Sequence, residues 1–398
     1  MRNLSVEDEH SLKRRLGNVK NELGVFYMNQ STALVQGINS EEQSEVTVST
    51  LCAAEDLLIN SRKFLQEGIE LFESIQDSAN IALLMSNSGR LWRIAGHIKS
   101  LTRGQNRNEF GDSELGEYKK AISEYKSALQ TLNNRKVNPG VWDSVTWELC
   151  CTFFTVGTLL QDQAPLSSYS REETEKQVTE YFLKSLKYCD VEMSGPRQVV
   201  YQYRAAVIHQ RLASLYHHAF RCFEAQDNSF RKKKLKQLSE NHYTKAAPLF
   251  LQLERFGDYL RCVLEKCGLY EAVLEGQATA GSKHKVYNTI LAAFIETTPA
   301  LEKMVAVSMN VKELSDGGGE KSAEDKEEEG FMIETLLQRI QATLLALYKT
   351  LSGKFAKKGK DTDSLTVKVK SLYGESLKIE HTVEQIISLM NKISTILL

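Results

Sequence analysis

Apolar positions along most of this chain fall at spacings of three and four, the rhythm of amphipathic helices rather than strands. The first such stretch contains LGVFY, residues 23 to 27, with a glycine inside an apolar helix face. A glycine in a helix interior costs about 1 kcal/mol relative to alanine, so a helix that keeps one gains from the missing side chain, usually through close approach of a neighbour. Comparable stretches are SGRLW from Ser88 to Trp92, CCTFF from Cys150 to Phe154 and LASLY from Leu212 to Tyr216. In each, a small residue (Gly24, Gly89, Cys151, Ala213) precedes an aromatic by three positions (Tyr27, Trp92, Phe154, Tyr216), one turn along the same face. The expectation is that the small residue makes room and the aromatic fills it.

A second type of helix alternates with the first. It is clearest in EYKKAISEYKSALQTLNN, where Ala121, Tyr125 and Ala128 share a face. Weaker versions place Gly68, Phe72 and Ile75, then Val178, Phe182 and Ser185, then Ser239, Tyr243 and Ala246 at the same spacing. Four helix pairs result. The alternation resembles the tetratricopeptide repeat, whose pattern runs W-x2-L-G-x2-Y and then A-x3-F. Leu23-Gly24-Tyr27 and Leu212-Ala213-Tyr216 fit its first helix, Trp147 adds the tryptophan position to the third copy, and Ala121-Tyr125-Ala128 fits its second helix. No copy carries the whole consensus.

The small residues recur just over sixty positions apart, nearly twice the roughly 34-residue unit of the ordinary repeat. The excess lies mostly in polar stretches inside the pairs, such as GINSEEQSEVT and QDQAPLSSYSREE, read as loops or extended helix ends. The predicted fold is therefore all-α: a tetratricopeptide-like helical-hairpin solenoid with expanded repeats and carboxyl-terminal capping helices. Residues 1–247 are assigned to four helix pairs and 248–313, where the glycine-aromatic signal fades after Pro248, to a degenerate continuation. Residues 314–330, LSDGGGEKSAEDKEEEG, read as an acidic Gly-rich linker. Residues 331–398 hold amphipathic helices; the last places Ile386, Ile387, Met390, Ile393 and Leu397 at helical spacing and is expected to dock as a cap.

Composition agrees with a helical reading. Only five prolines interrupt 398 residues, and a hydrophobic fraction of 42% suffices for a packed core. Fifty basic against 51 acidic residues leave a net charge of −1, which argues against a whole-chain surface for nucleic acid or membrane. The amino terminus has no signal-peptide run and no segment is long and apolar enough for a membrane span, so a soluble protein is expected. Seven cysteines without a CxxC pair fit a reducing compartment.

Candidate chemistry is sparse. His209, His217, His218 and Cys222 fall on or beside one helix, and His218 with Cys222 has the i, i+4 spacing of metal ligands, but a zinc site needs three or four donors. Cys150 and Cys151 occupy slots where the repeat carries leucine and glycine, and read as buried small groups. Neither a phosphate-binding glycine loop nor GxSxG occurs, so no catalytic, cofactor or metal site is expected and the chain reads as a non-enzyme. The basic run RKKKLK leaves three readings open: a solvated helix start, a nuclear-import signal made by Arg231, Lys232, Lys233 and Lys234, or a phosphate contact. Without zinc-finger spacing or a basic zipper, direct sequence-specific nucleic-acid binding is not expected. The positions that would carry a carboxylate clamp are Asn21, Val25, Asn87, Val145 and Leu149; only Asn87 fits, leaving a generic peptide groove.

Two stretches, RRLGNVKNELGVFYMNQ and YKKAISEYKSAL, resemble the carboxyl-terminal, repeat-containing part of the erythroid differentiation-related factor family. That resemblance implies a nuclear regulator promoting globin gene transcription and erythroid maturation, a scaffold rather than an enzyme, with no catalytic residues to carry over and with transcription regulators as partners in its helical groove; no cofactor is expected. Members are much longer, which implies that this chain is a carboxyl-terminal fragment or short isoform. The alternative is a cytoplasmic adaptor of the same fold.

Overall fold

The computed structural model describes residues 5–36, 38, 45–102, 110–163, 170–192, 195, 197–222, 229–313, 323–353, 360–380 and 382–397. These form α-helices, with no strand among the described residues. The chain divides after Asp190 into two compact units.

The first unit, Met1–Asp190, is built from three antiparallel hairpins. They pair α1 (Val6–Gln36) with α2 (Glu45–Glu73), α3 (Ser78–Thr102) with α4 (Asp112–Leu132), and α5 (Pro139–Asp162) with α6 (Arg171–Lys187). Successive hairpins pack through α2 on α3 and α4 on α5. With α1 at 31 residues and α2 at 29, much of the expanded period is helix rather than loop.

Small residues on the first helix of each hairpin meet large ones on the second. A methyl group at Gly17 would lie 2.6 Å from the Phe72 ring, at Gly89 2.6 Å from the Tyr125 ring, and at Gly157 2.9 Å from the Phe182 ring. A second layer follows seven residues away: Gly24 faces Leu65 and Gly96 faces Tyr118. Seven residues return a helix to nearly the same face, so the first two hairpins are short ladders of small-against-large contacts. Phe72, Tyr125 and Phe182 are essentially fully buried.

This differs from the sequence expectation in two respects. The ring filling the space comes from the facing helix, whereas Tyr27, Trp92, Phe154 and Tyr216, three positions on in the same helix, stay half-buried on its flank. There Tyr27 stacks on Phe64 at 5.5 Å, and Trp92 lies between the cations of Arg62 and Lys120 at 5.0 and 4.4 Å. In the third hairpin, Cys151 is half-buried and Cys150 is the residue in the interface. One residue is a 100° turn of the helix, enough to move a side chain from interface to flank.

A hydrogen bond repeats with the packing. Buried serine hydroxyls on the second helix donate to main-chain carbonyls on the first: Ser61 to Gly24 at 2.7 Å and Ser185 to Cys150 at 2.8 Å. The same bond occurs in the second unit, from Ser239 to Ala213 at 2.9 Å.

The second unit, Val191–Leu398, opens with a fourth hairpin, α7 (Gln198–Arg221) against α8 (Ser229–Gln252). It continues through α9 (Phe256–Leu274), α10 (Ala280–Ile295), α11 (Thr298–Glu313), α12 (Ala323–Ser352), α13 (Lys360–Ser376) and α14 (Val383–Leu397). The expected boundary at 247/248 falls inside α8, which runs through Pro248 because Ala246 and Phe250 on either side are fully buried. Of the expected linker, 314–322 lies outside the described residues, and Ala323 to Gly330 is helix rather than linker. Glu328 pairs with Arg261 of α9, and Met332 is buried one turn on, so packing holds this acidic stretch in α12. The final helix docks as expected: Ile386, Met390 and Ile393 are buried, with Ile387 and Leu397 packed against the same core.

Candidate functional site

The first helices of the three hairpins lie beside one another, α1 next to α3 and α3 next to α5. Along them runs a groove of about 520 Å³. Thr32 and Gln36 of α1, Arg90, Arg93 and His97 of α3, and Glu148 of α5 supply its polar lining, and Val35, Ile94 and Tyr118 its apolar parts. Apart from Tyr118 of α4, the lining comes from first-helix faces that are not taken up by the second helix of the same hairpin.

Two polar links tie the three helices together. Asn87 donates its side-chain amide to Asn21 at 2.8 Å, joining α3 to α1. The Arg93 guanidinium pairs with the Glu148 carboxylate, joining α3 to α5, with both side chains about a quarter exposed. Arg90 and His97, at i and i+7 on α3, stay exposed. The groove thus offers a planar cation and an imidazole on its central helix beside an already paired carboxylate, which suits hydrogen bonding to a polar or acidic segment.

The carboxylate clamp has no place here. Asn87 is 7% exposed and engaged with Asn21, while Val145 and Leu149 are fully buried core residues.

The basic run lies at the start of α8 in the second unit. Lys232 is half-buried with its ammonium 5.3 Å from the centre of the Phe220 ring, and Lys236 pairs with Glu240 at 3.2 Å. Arg231, Lys233 and Lys234 are exposed. Arg221, Lys232, Lys233 and Lys236 line one side of a cleft of about 450 Å³, bounded on the other by Ala272 and Val273 of α9 and by 275–277 just past it.

Among the described residues no group of three or more His, Cys, Asp or Glu side chains is arranged to hold a metal ion. His218 and Cys222 do approach, with Nε2 3.7 Å from Sγ. A different pair is invisible in the linear pattern: Nδ1 of His209 lies 2.9 Å from Nδ1 of His242, with the Tyr216 ring beside it. Burial pushes both imidazoles down to about 4, helped by the cation of Lys245. Near neutral pH both rings are uncharged, and one Nδ1–H donates to the other Nδ1. The pairing joins residues on two helices, so only the hairpin register of α7 and α8 could have disclosed it.

Helical hairpins of this kind, with an uncovered groove along their first helices, are what a tetratricopeptide-type chain builds. The family model described as "Erythroid differentiation-related factor 1-like, TPR repeats" matches residues 12–398. The chain belongs to that family. Erythroid differentiation-related factor 1 of Homo sapiens is 35% identical over 401 residues, covering 98% of this chain and 32% of that protein. The Pongo abelii and Mus musculus proteins of the same name are 41% and 40% identical over 301 residues, covering 75% of this chain and 24% of each relative. The chain thus spans a third or less of the length of these curated relatives. The family match takes in both compact units, including the carboxyl-terminal helices whose repeat signal is faint.

Proposed function

We propose that the chain is a non-enzymatic interaction scaffold whose groove along α1, α3 and α5 receives a segment of a protein partner. The observation that carries this reading is the row of three first-helix faces, left uncovered and lined by Arg90, His97 and the Arg93–Glu148 pair. By the names of its relatives the scaffold serves erythroid differentiation. By the resemblance described above it acts in the nucleus on globin gene transcription, with transcription regulators as its partners. Exposed Arg231, Lys233 and Lys234 support import through the basic run.

The test is affinity capture of the tagged chain and of an Arg90→Glu/His97→Glu variant from erythroid cells. Loss of the same proteins from the variant, with helicity unchanged, supports the groove; an identical set refutes it. Imaging the chain with residues 231–234 changed to alanine tests import, which fails as a proposal if nuclear accumulation is unaltered. A cytoplasmic adaptor is the second reading. It is favoured by Lys232, whose contact with Phe220 ties the basic run to the folded helix.

A further inference from the structure

The third hairpin brings two cysteines face to face. Sγ of Cys150 on α5 lies 3.3 Å from Sγ of Cys189, in the turn just past α6, and 3.4 Å from the Ser185 hydroxyl. Cys150 is fully buried and Cys189 is 9% exposed. The contact occupies the layer that the first hairpin fills with Gly24 against Leu65, where one small and one large apolar group serve the packing. Two thiols at that place add a chemistry that packing does not require.

We propose that Cys150 and Cys189 form a dithiol modification site that closes to a disulfide on meeting an oxidised low-molecular-weight thiol such as glutathione disulfide. Cys189, the less deeply buried of the two and placed in the turn past α6, attacks as the thiolate one sulfur of glutathione disulfide. That S–S bond breaks, one glutathione leaves and takes up the proton Cys189 released, and a mixed disulfide remains on Cys189. Cys150, losing its proton, then attacks Cys189 Sγ and expels the second glutathione, which takes up that proton. Two protein thiols are oxidised and one glutathione disulfide is reduced to two thiols. Being buried against Cys189, Cys150 is placed to act as the resolving thiol.

Bond formation requires the sulfurs to close from 3.3 Å to about 2.05 Å. Cys189 lies beyond the helix cap at Tyr188, so a turn rather than a helix absorbs the movement. The product would fasten the end of the first unit to α5. In compartments that keep most thiols reduced, such bonds are typically transient and redox-sensing.

The experiment incubates the reduced full chain with glutathione and glutathione disulfide at graded ratios, quenches by alkylation, and maps non-reduced peptides by mass spectrometry. A Cys151→Ala background removes ambiguity from the adjacent cysteine. The expected result is a Cys150–Cys189 cross-linked peptide, reversed by dithiothreitol, while exposed Cys52 and Cys222 carry glutathione. A Cys150→Ser variant, checked for unchanged helicity, should accumulate glutathione on Cys189. Recovery of Cys150 and Cys189 as alkylated thiols, under conditions that fully modify Cys52 and Cys222, overturns the proposal.

Discussion

Gly89 and Gly116 are both helical glycines, and the structure predicts opposite outcomes for replacing them with alanine. At Gly89 the added methyl meets the buried Tyr125 ring at 2.6 Å. Overpacking of about 1–3 kcal/mol outweighs the gain in helix propensity of about 1 kcal/mol. At Gly116 nothing lies within 4 Å, and the change should stabilise by about 0.5–1 kcal/mol. Thermal or urea unfolding of both variants checks the pair; equal effects would dissolve the small-against-large ladder. A milder loss is expected for Ser61→Ala, which removes the donor to the Gly24 carbonyl and should cost about 1 kcal/mol. The residue scale is also where sequence and structure diverge most. Tyr125 and Phe182 were legible because their helices keep the A-x3-F rhythm or its remnant. Gly17 and Gly157 were not, since α1 offers two glycines a heptad apart and α5 offers adjacent cysteines, of which Cys150 rather than Cys151 faces the partner helix. Gly157 stands seven residues after Cys150, a spacing that would have found it.

At the scale of helices, the alternation of two helix types was legible and the destination of their faces was not. The groove depends on which sides of α1, α3 and α5 remain uncovered, a property of three helices together. The acidic stretch after Ala323 has the composition of a linker, and composition is silent about the distant Arg261 that pairs with Glu328. The α7–α8 hairpin carries a prediction of its own. His209 and His242 are pushed from an ordinary value of 6.5 to about 4, so in acid the unfolded chain binds more protons than the folded one. The stability from keeping the pair neutral is present above about pH 6.5 and is lost as pH falls through about 4. Melting temperature between pH 7 and pH 4.5 should therefore fall less in a His209→Gln/His242→Gln variant than in the parent. Parallel curves would show that the pair does not titrate as described.

For the whole chain, the division after Asp190 leaves each unit with buried clusters of its own among the described residues, those holding Leu65 and Tyr125 in the first and a large one in the second. Residues 1–190 produced alone should be helical and unfold cooperatively, as circular dichroism would register; a chain without a cooperative transition would show that the first unit depends on the second. Fold class was legible across both units because periodicity survives where the consensus fades. The division itself was not, because the sequence grouped the fourth hairpin with the first three.

The seven-residue ladder has an evolutionary corollary. Losing one residue midway along α3 would spin everything beyond it by about 100°, parting Gly96 from Tyr118 while Gly89 kept Tyr125. Adding seven residues to both arms would only insert another rung, with a drift of about 20°. Length differences among relatives should thus be confined to the hairpin tips, or arrive within the arms as matched sevens.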